Sequence, residues 1–146
     1  MTVTIRHAGP GDEPAIVDLV RELAVAIDEQ SPADQHYVRR YLASPDTTTL
    51  LAIEGRDVVG MLSYSTRPGL FLAGDSGEIE ILFVPAHRRR EGIGTKLLRT
   101  AMRLMQDAGC VETSASMNAD NELAQRIYVD AGLADASIRL EKHLGR

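Results

Sequence analysis

The amino-acid sequence predicts an α+β fold. Apolar residues alternate in some stretches and recur at helical spacing in others. The two patterns interleave in the order β-α-α-β-β-β-α-β-α-β. Between the fourth and fifth strands lies a connection long enough to be a helix, which makes that pair a parallel crossover. A chain of 146 residues, 44% hydrophobic and 25% charged, fits one domain with a sizeable core. No repeat, low-complexity tract or linker divides it, so residues 1–146 read as a single domain.

Val3 and Ile5 alternate with Thr2, Thr4 and Arg6 as a half-buried first strand, broken by Gly9-Pro10-Gly11. Asp12 is placed to cap a helix, and Ile16, Leu19, Val20, Leu23 and Ile27 form its apolar stripe. Ser31-Pro32 is read as opening a second helix, with Tyr37, Val38, Tyr41 and Leu42 on one face and Ser44-Pro45-Asp46 at its end. Thr47 to Ile53 and Val58 to Thr66 read as strands joined by the turn Glu54 to Asp57. Arg67-Pro68-Gly69 marks the start of a long loop through Phe71 to Gly77, a candidate substrate rim.

Glu78 to Val84 is the next strand, and it leads into Pro85, a basic turn and a helix. Leu97, Leu98, Ala101, Leu104, Met105 and Ala108 give that helix one apolar stripe, which Gly109 ends. Val111 to Ser116 reads as a strand, and the polar turn 118–121 follows. A short helix carrying Leu123, Ala124, Ile127 and Tyr128 stops at Gly132. Leu133 to Leu144 reads as extended, one or two closing strands.

Composition narrows the function. No run approaches the ~18 apolar residues of a membrane span. The N-terminus lacks a signal-peptide core. Cys110 is the single cysteine, so no internal disulfide forms, and a cytoplasmic location is expected. The histidines and the cysteine lack metal-ligand spacing, so no metal is expected. A net charge of −5 and 4% aromatic residues argue against nucleic acid and for a cationic partner.

Three constellations carry candidate chemistry. The first is the turn Arg89-Arg90-Glu91-Gly92-Ile93-Gly94 at a helix start. There, unpaired amides, the helix dipole and cationic side chains meet, and glycine lets an anion approach the main chain. Its spacing is neither G-x-G-x-x-G nor the Walker loop. The bland alternative is a solvated basic loop. The second is Asn121 and Tyr128, about two helical turns apart and on one face; the bland alternative is a capping Asn and a core Tyr. The third is Glu78 and Glu80, two carboxylates on one strand face and candidates for a general base, or else a solvated sheet edge.

Taken together, these stretches resemble the GNAT acetyltransferase superfamily. Its motif Q/R-x-x-G-x-G/A is matched by Arg89, Gly92 and Gly94, flanked by Leu82-Phe83-Val84-Pro85 and Thr95-Lys96-Leu97-Leu98. Its second hallmark is met by Asn121, Ala124, Ile127, Tyr128, Gly132 and Leu133. Most members carry Phe where Leu133 stands, and a glycine is common where Arg90 stands. The resemblance implies a mixed, mostly antiparallel sheet splayed between two parallel strands and flanked by about four helices.

It further implies acetyl-CoA as donor and a primary amine of a small molecule or peptide as acceptor. The pyrophosphate would rest on the turn, Arg90, Glu91, Gly92, Ile93, Gly94 and Thr95, with Arg89 beside it. Leu82, Phe83 and Val84 would offer main-chain contacts to the pantetheine arm, and Asn121 would either touch that arm or cap its helix. An amine of pKa about 10.4 must lose a proton before attack, and Glu80, directly or through water, is the candidate base. A strand amide near Leu82 or Phe83 would stabilise the developing oxyanion. Tyr128 would be the acid for a thiolate of reference pKa about 8.5. Cys110 then reads as a small buried residue. Members of the superfamily are often homodimers. Two other readings compete: a non-catalytic acyl-CoA sensor, which needs no acid at Tyr128, and a nucleic-acid binder using His87 to Arg90, which the acidic balance disfavours.

Overall fold

The computed structural model describes residues 2–117 and 121–145. Among these, five strands and four helices follow one another: β1 (Val3–His7), α1 (Glu13–Ala26), α2 (Gln35–Ala43), β2 (Thr47–Glu54), β3 (Asp57–Gly69), β4 (Gly74–Phe83), α3 (Ile93–Asp107), β5 (Glu112–Ala115) and α4 (Glu122–Asp130). The sheet has the order β1-β2-β3-β4-β5. Every neighbouring pair is antiparallel except β4 and β5, which are parallel and joined through α3. The expected mixed sheet and parallel crossover are therefore present.

Alternation along the strands divides the core between the two sheet faces. Leu50, Ala52, Leu62 and Ile79 face Leu97, Leu98, Ala101 and Tyr128 of α3 and α4. Leu51, Met61 and Phe83 face Ile16, Val17, Leu19 and Val38 of α1 and α2. Leu97 and Leu98 have almost no exposure, so truncating either to Ala should cost about 2–5 kcal/mol. Two strand glycines let α3 sit low on the sheet. A Cβ at Gly60 would stand 3.1 Å from Ile93 Cγ2, and one at Gly77 would stand 2.5 Å from Met105 Sδ.

Three expectations are corrected. The segment 67–77 is a hairpin rather than a long loop: β3 continues to Gly69, β4 begins at Gly74, and Pro68 pairs with Asp75. Its tip is apolar, with Leu70 and Phe71 99% exposed. The second helix starts at Gln35 rather than at Ser31-Pro32, because the Asp34 carboxylate accepts the Tyr37 amide at 2.8 Å and caps it there. Residues 133–145 form no strand among the described residues; they carry no regular secondary structure, and Ile138, Leu140 and Leu144 are exposed. Of the polar turn 118–121, residues 118–120 lie outside the described residues. No described helix is long and apolar enough to cross a membrane.

Candidate active site

The glycine turn is built by its arginines before it is available to a ligand. A short 3-10 turn, Ala86–Arg88, follows β4. Arg88 donates two hydrogen bonds to Glu54, at 2.8 and 3.2 Å, and two more to Glu91, at 3.0 and 3.1 Å. The bonds to Glu91 and Glu54 hold the guanidinium charged well above its ordinary range. Arg88 and Glu91 are thus engaged in fixing the turn against β2. Arg89 Nε donates to the Val84 carbonyl at 3.0 Å, and its guanidinium lies 6.0 Å from the centre of the Phe83 ring.

Arg90 has φ +67°, a conformation glycine adopts freely, which explains why glycine is common at this motif position. Gly92, at φ +81°, caps α3. The first bond of that helix runs from the Lys96 amide to the Gly92 carbonyl at 3.0 Å. The amides of Ile93, Gly94 and Thr95 precede it and are free of intrahelical partners. A Cβ on Gly92 would meet nothing within 4 Å, so the space over the turn is open. Donors at a helix start, a bare glycine and the exposed Arg90 are features that could hold an anionic group such as a pyrophosphate. Gly94 differs. A Cβ there would meet Ile127 Cδ1 at 3.7 Å and Val84 Cγ2 at 3.9 Å, so this glycine faces α4 and β4 rather than the open side.

The strand leading to the turn has a free edge. β5 pairs with β4 only from Ser76 to Ile79 and stops at Ala115, whereas β4 runs on to Phe83. A β-bulge lies at the same point. Ser63 pairs with Ile81 and Tyr64 with Ile79, leaving Glu80 as the extra residue. The bulge breaks the alternation, so Ile79 and Leu82, three positions apart, both pack on the α3–α4 side, while Ile81 and Phe83 pack on the other. Beyond Ile79, main-chain groups of Leu82 and Phe83 that point toward β5 have no strand partner among the described residues. The Val84 carbonyl is already occupied by Arg89.

Tyr128 is 5% exposed, among the α3 leucines and Ile79. Burial pushes its phenol up to about 12, so it stays protonated at neutral pH. Its hydroxyl makes no hydrogen bond to another described residue. Asn121 accepts the Ala124 amide at 3.1 Å through its side-chain oxygen and so caps α4. Its NH2 group is what remains for another partner. Leu133 packs against the same core. Cys110 is partly buried, and burial raises its thiol above the ordinary value, as expected of a packing residue.

Glu80 lies on the opposite side of the sheet, in a cleft of about 480 Å³ between α1, α2 and the strands. Tyr41 reaches it at 3.4 Å and also lies 2.5 Å from Ser63 Oγ, which in turn contacts Thr49 Oγ1 at 3.2 Å. Burial raises the Tyr41 phenol, the Ser63 bond opposes the rise, and the nearby Glu80 carboxylate adds to it. Glu78 does not join Glu80. It is held by Arg139 of the C-terminal segment at 2.7 Å, and Arg139 also donates to Ser116 at 2.7 Å.

A family model described as the acetyltransferase (GNAT) family matches residues 14–133. The chain belongs to the GNAT acetyltransferase family. It is 31% identical, over 141 residues, to the aminoalkylphosphonate N-acetyltransferase of Salmonella typhimurium, covering 96% of this chain and 90% of that protein. Its fold matches that of a protein from Bacillus halodurans C-125 described as a transcriptional regulator, with TM-score 0.85, 25% identity and coverage of 98% and 100%. It also matches an aminoglycoside acetyltransferase from an uncultured soil metagenomic sample, solved with sisomicin, with TM-score 0.83, 16% identity and coverage of 99% and 96%.

Within this GNAT frame the two sequence motifs converge through α4, whose Ile127 meets the space above Gly94. Tyr41 and Ser63 escape a reading of the sequence. On α2, Tyr41 sits at core spacing with Tyr37 and Val38, and its one signal is a hydroxyl on an otherwise apolar face. Arg139 carries no signal, because its pairing with Glu78 spans 61 positions.

Proposed function

We propose that this GNAT protein transfers an acetyl group from acetyl-CoA to a primary amine by direct attack in a ternary complex. The observation that carries the reading is that Glu80 lines the α1–α2 cleft just where β4 runs on past its pairing with β5, while Tyr128 packs on the opposite, α3–α4 side of the sheet. An amine entering the α1–α2 cleft meets Glu80, and a donor seated on the α3–α4 side meets Tyr128.

When bound, acetyl-CoA supplies the activated acetyl group as a thioester. The amides of Ile93, Gly94 and Thr95, the open face of Gly92 and the side chain of Arg90 suit its pyrophosphate. The free edge of β4 at Leu82 and Phe83 suits its pantetheine amides. Glu80 takes the amine proton, directly or through water, while Tyr41 holds the carboxylate in place. Tyr128 donates a hydrogen bond to the leaving sulfur. With its phenol near 12, well above a thiolate's about 8.5, it stabilises developing charge and does not ionise at rest. No enzyme nucleophile is required, which agrees with the packing role of Cys110.

Calorimetry with acetyl-CoA, followed by a thiol-release assay over a panel of amines, tests the reading. Binding with turnover of at least one amine is expected. Binding with no turnover would identify an acyl-CoA sensor instead, and no binding would remove both readings.

A further inference from the structure

We infer that the acceptor is an amine on a hydrocarbon frame that carries no phosphonate, phosphate or carboxylate group. The inference rests on the proposed acetyl transfer and narrows which amine is used. The cleft that ends at Glu80 is walled by apolar side chains, with Val20 of α1, Val38 and Leu42 of α2, and Met61 and Ile81 of the sheet among them. Among the described residues lining it there is no lysine and no arginine. Its charged or chargeable groups, tyrosines aside, are Glu80, Asp34 and the imidazole of His36.

An anionic substituent entering this cleft would leave water and find two carboxylates there. The hydroxyls do not substitute for a cation: Tyr41 and Thr49 both already bond Ser63, and those of Ser31 and Tyr37 are neutral. Asp34 is committed to the α2 cap. Arg139 reaches β4 two residues before Glu80, but it is paired with both Glu78, at 2.7 Å, and Glu141, at 3.0 Å. An ammonium group, by contrast, gains from Glu80, and a hydrocarbon body gains from the apolar walls. The cleft therefore departs from what the name of the aminoalkylphosphonate relative would suggest.

The test is calorimetric titration of the protein in saturating coenzyme A with propylamine, 2-phenylethylamine and 2-aminoethylphosphonate. The hydrocarbon amines should bind about tenfold or more tightly than the phosphonate. Equal or tighter binding of the phosphonate, or binding of none of the three, would overturn the inference. In Val20→Arg, which places a guanidinium in the cleft wall, the preference should shrink or reverse. An unchanged ratio would overturn the charge argument. Because the titration reads binding without transfer, hydrocarbon amines that bind without being acetylated would count against the catalytic proposal alone. Turnover that favours the phosphonate would count against this inference alone.

Discussion

Gly94 lies directly beneath Ile127: a Cβ built on the glycine would stand 3.7 Å from the isoleucine Cδ1, an ordinary contact distance. The second glycine of the motif therefore serves as a packing position that joins the start of α3 to α4. The first, Gly92, has open space above it and a left-handed backbone. The two glycines should respond differently to one added methyl group. Gly94→Ala should keep its affinity for acetyl-CoA. Gly92→Ala should lose about tenfold, because the left-handed conformation costs a side-chain-bearing residue about 1–2 kcal/mol. Gly92→Asn should recover part of the loss, since Asn tolerates that region. Calorimetry with acetyl-CoA on the three variants checks this, and equal losses at both glycines would refute the division of roles.

Tyr128→Phe removes the proposed donor to the leaving sulfur and little else, because its hydroxyl bonds to no other described residue. The expected result is a fall in kcat of about 10²-fold with KM and melting temperature nearly unchanged. The pH dependence follows from the buried phenol. The donor works only while protonated, and burial raises its titration from near 10 to about 12. The natural enzyme should show no alkaline fall in kcat centred near 10. Such a fall, absent from Tyr128→Phe, would contradict the burial argument.

Glu80 and Tyr41 should separate as base and positioning residue. Glu80→Gln should lower kcat/KM by about 10²–10⁴-fold. Tyr41→Phe, which leaves the carboxylate in place but removes its 3.4 Å neighbour, should cost less and act on kcat more than on acetyl-CoA affinity. Steady-state kinetics on both variants decides the order. A larger loss in Tyr41→Phe would make the tyrosine the principal group.

Acid stability should report the contact between β1 and α1. Arg6 donates to both oxygens of Asp12, at 2.8 and 2.9 Å, and the Gly9 amide adds a third bond at 2.8 Å. The Arg6 bond holds the Asp12 carboxyl below its ordinary value of 3.8, and partial burial opposes it. A lowered folded value means that the stabilisation is present above the unfolded value and is lost as pH falls through the folded one. Asp12→Asn should therefore cost about 1 kcal/mol near neutrality, with the difference fading below the ordinary value. Denaturant midpoints at neutral and acid pH measure it, and a pH-independent difference would refute the assignment.

The succession of elements from β1 to α4 and the parallel crossover were legible because strongly periodic segments determine them. The stripe from Ile93 to Met105 repeats as a helix, and Leu97 and Leu98 are indeed buried. The hairpin 69–74 was illegible because its turn is apolar, against the usual chemistry of turns, and because Pro68 sits inside the ladder where it resembles a break. The stretch from Ile138 to Leu144 places apolar residues at 138, 140 and 144, but these stay exposed and join no ladder, and such spacing alone does not secure a pairing. The motifs located the glycine turn and Tyr128. The bulge at Glu80, which sets the end of the β4–β5 pairing beside the candidate base, arises from the register between two strands. One strand's residues do not encode it.

The most direct test of acetyl transfer is to incubate the protein with acetyl-CoA and 2-phenylethylamine and quantify both products by mass spectrometry and thiol titration. The account predicts N-acetylated amine and free coenzyme A in equal amounts, with both greatly reduced in Glu80→Gln and Tyr128→Phe. Thiol release with no acetylated amine, or product formation that is unaffected in both variants, would contradict it.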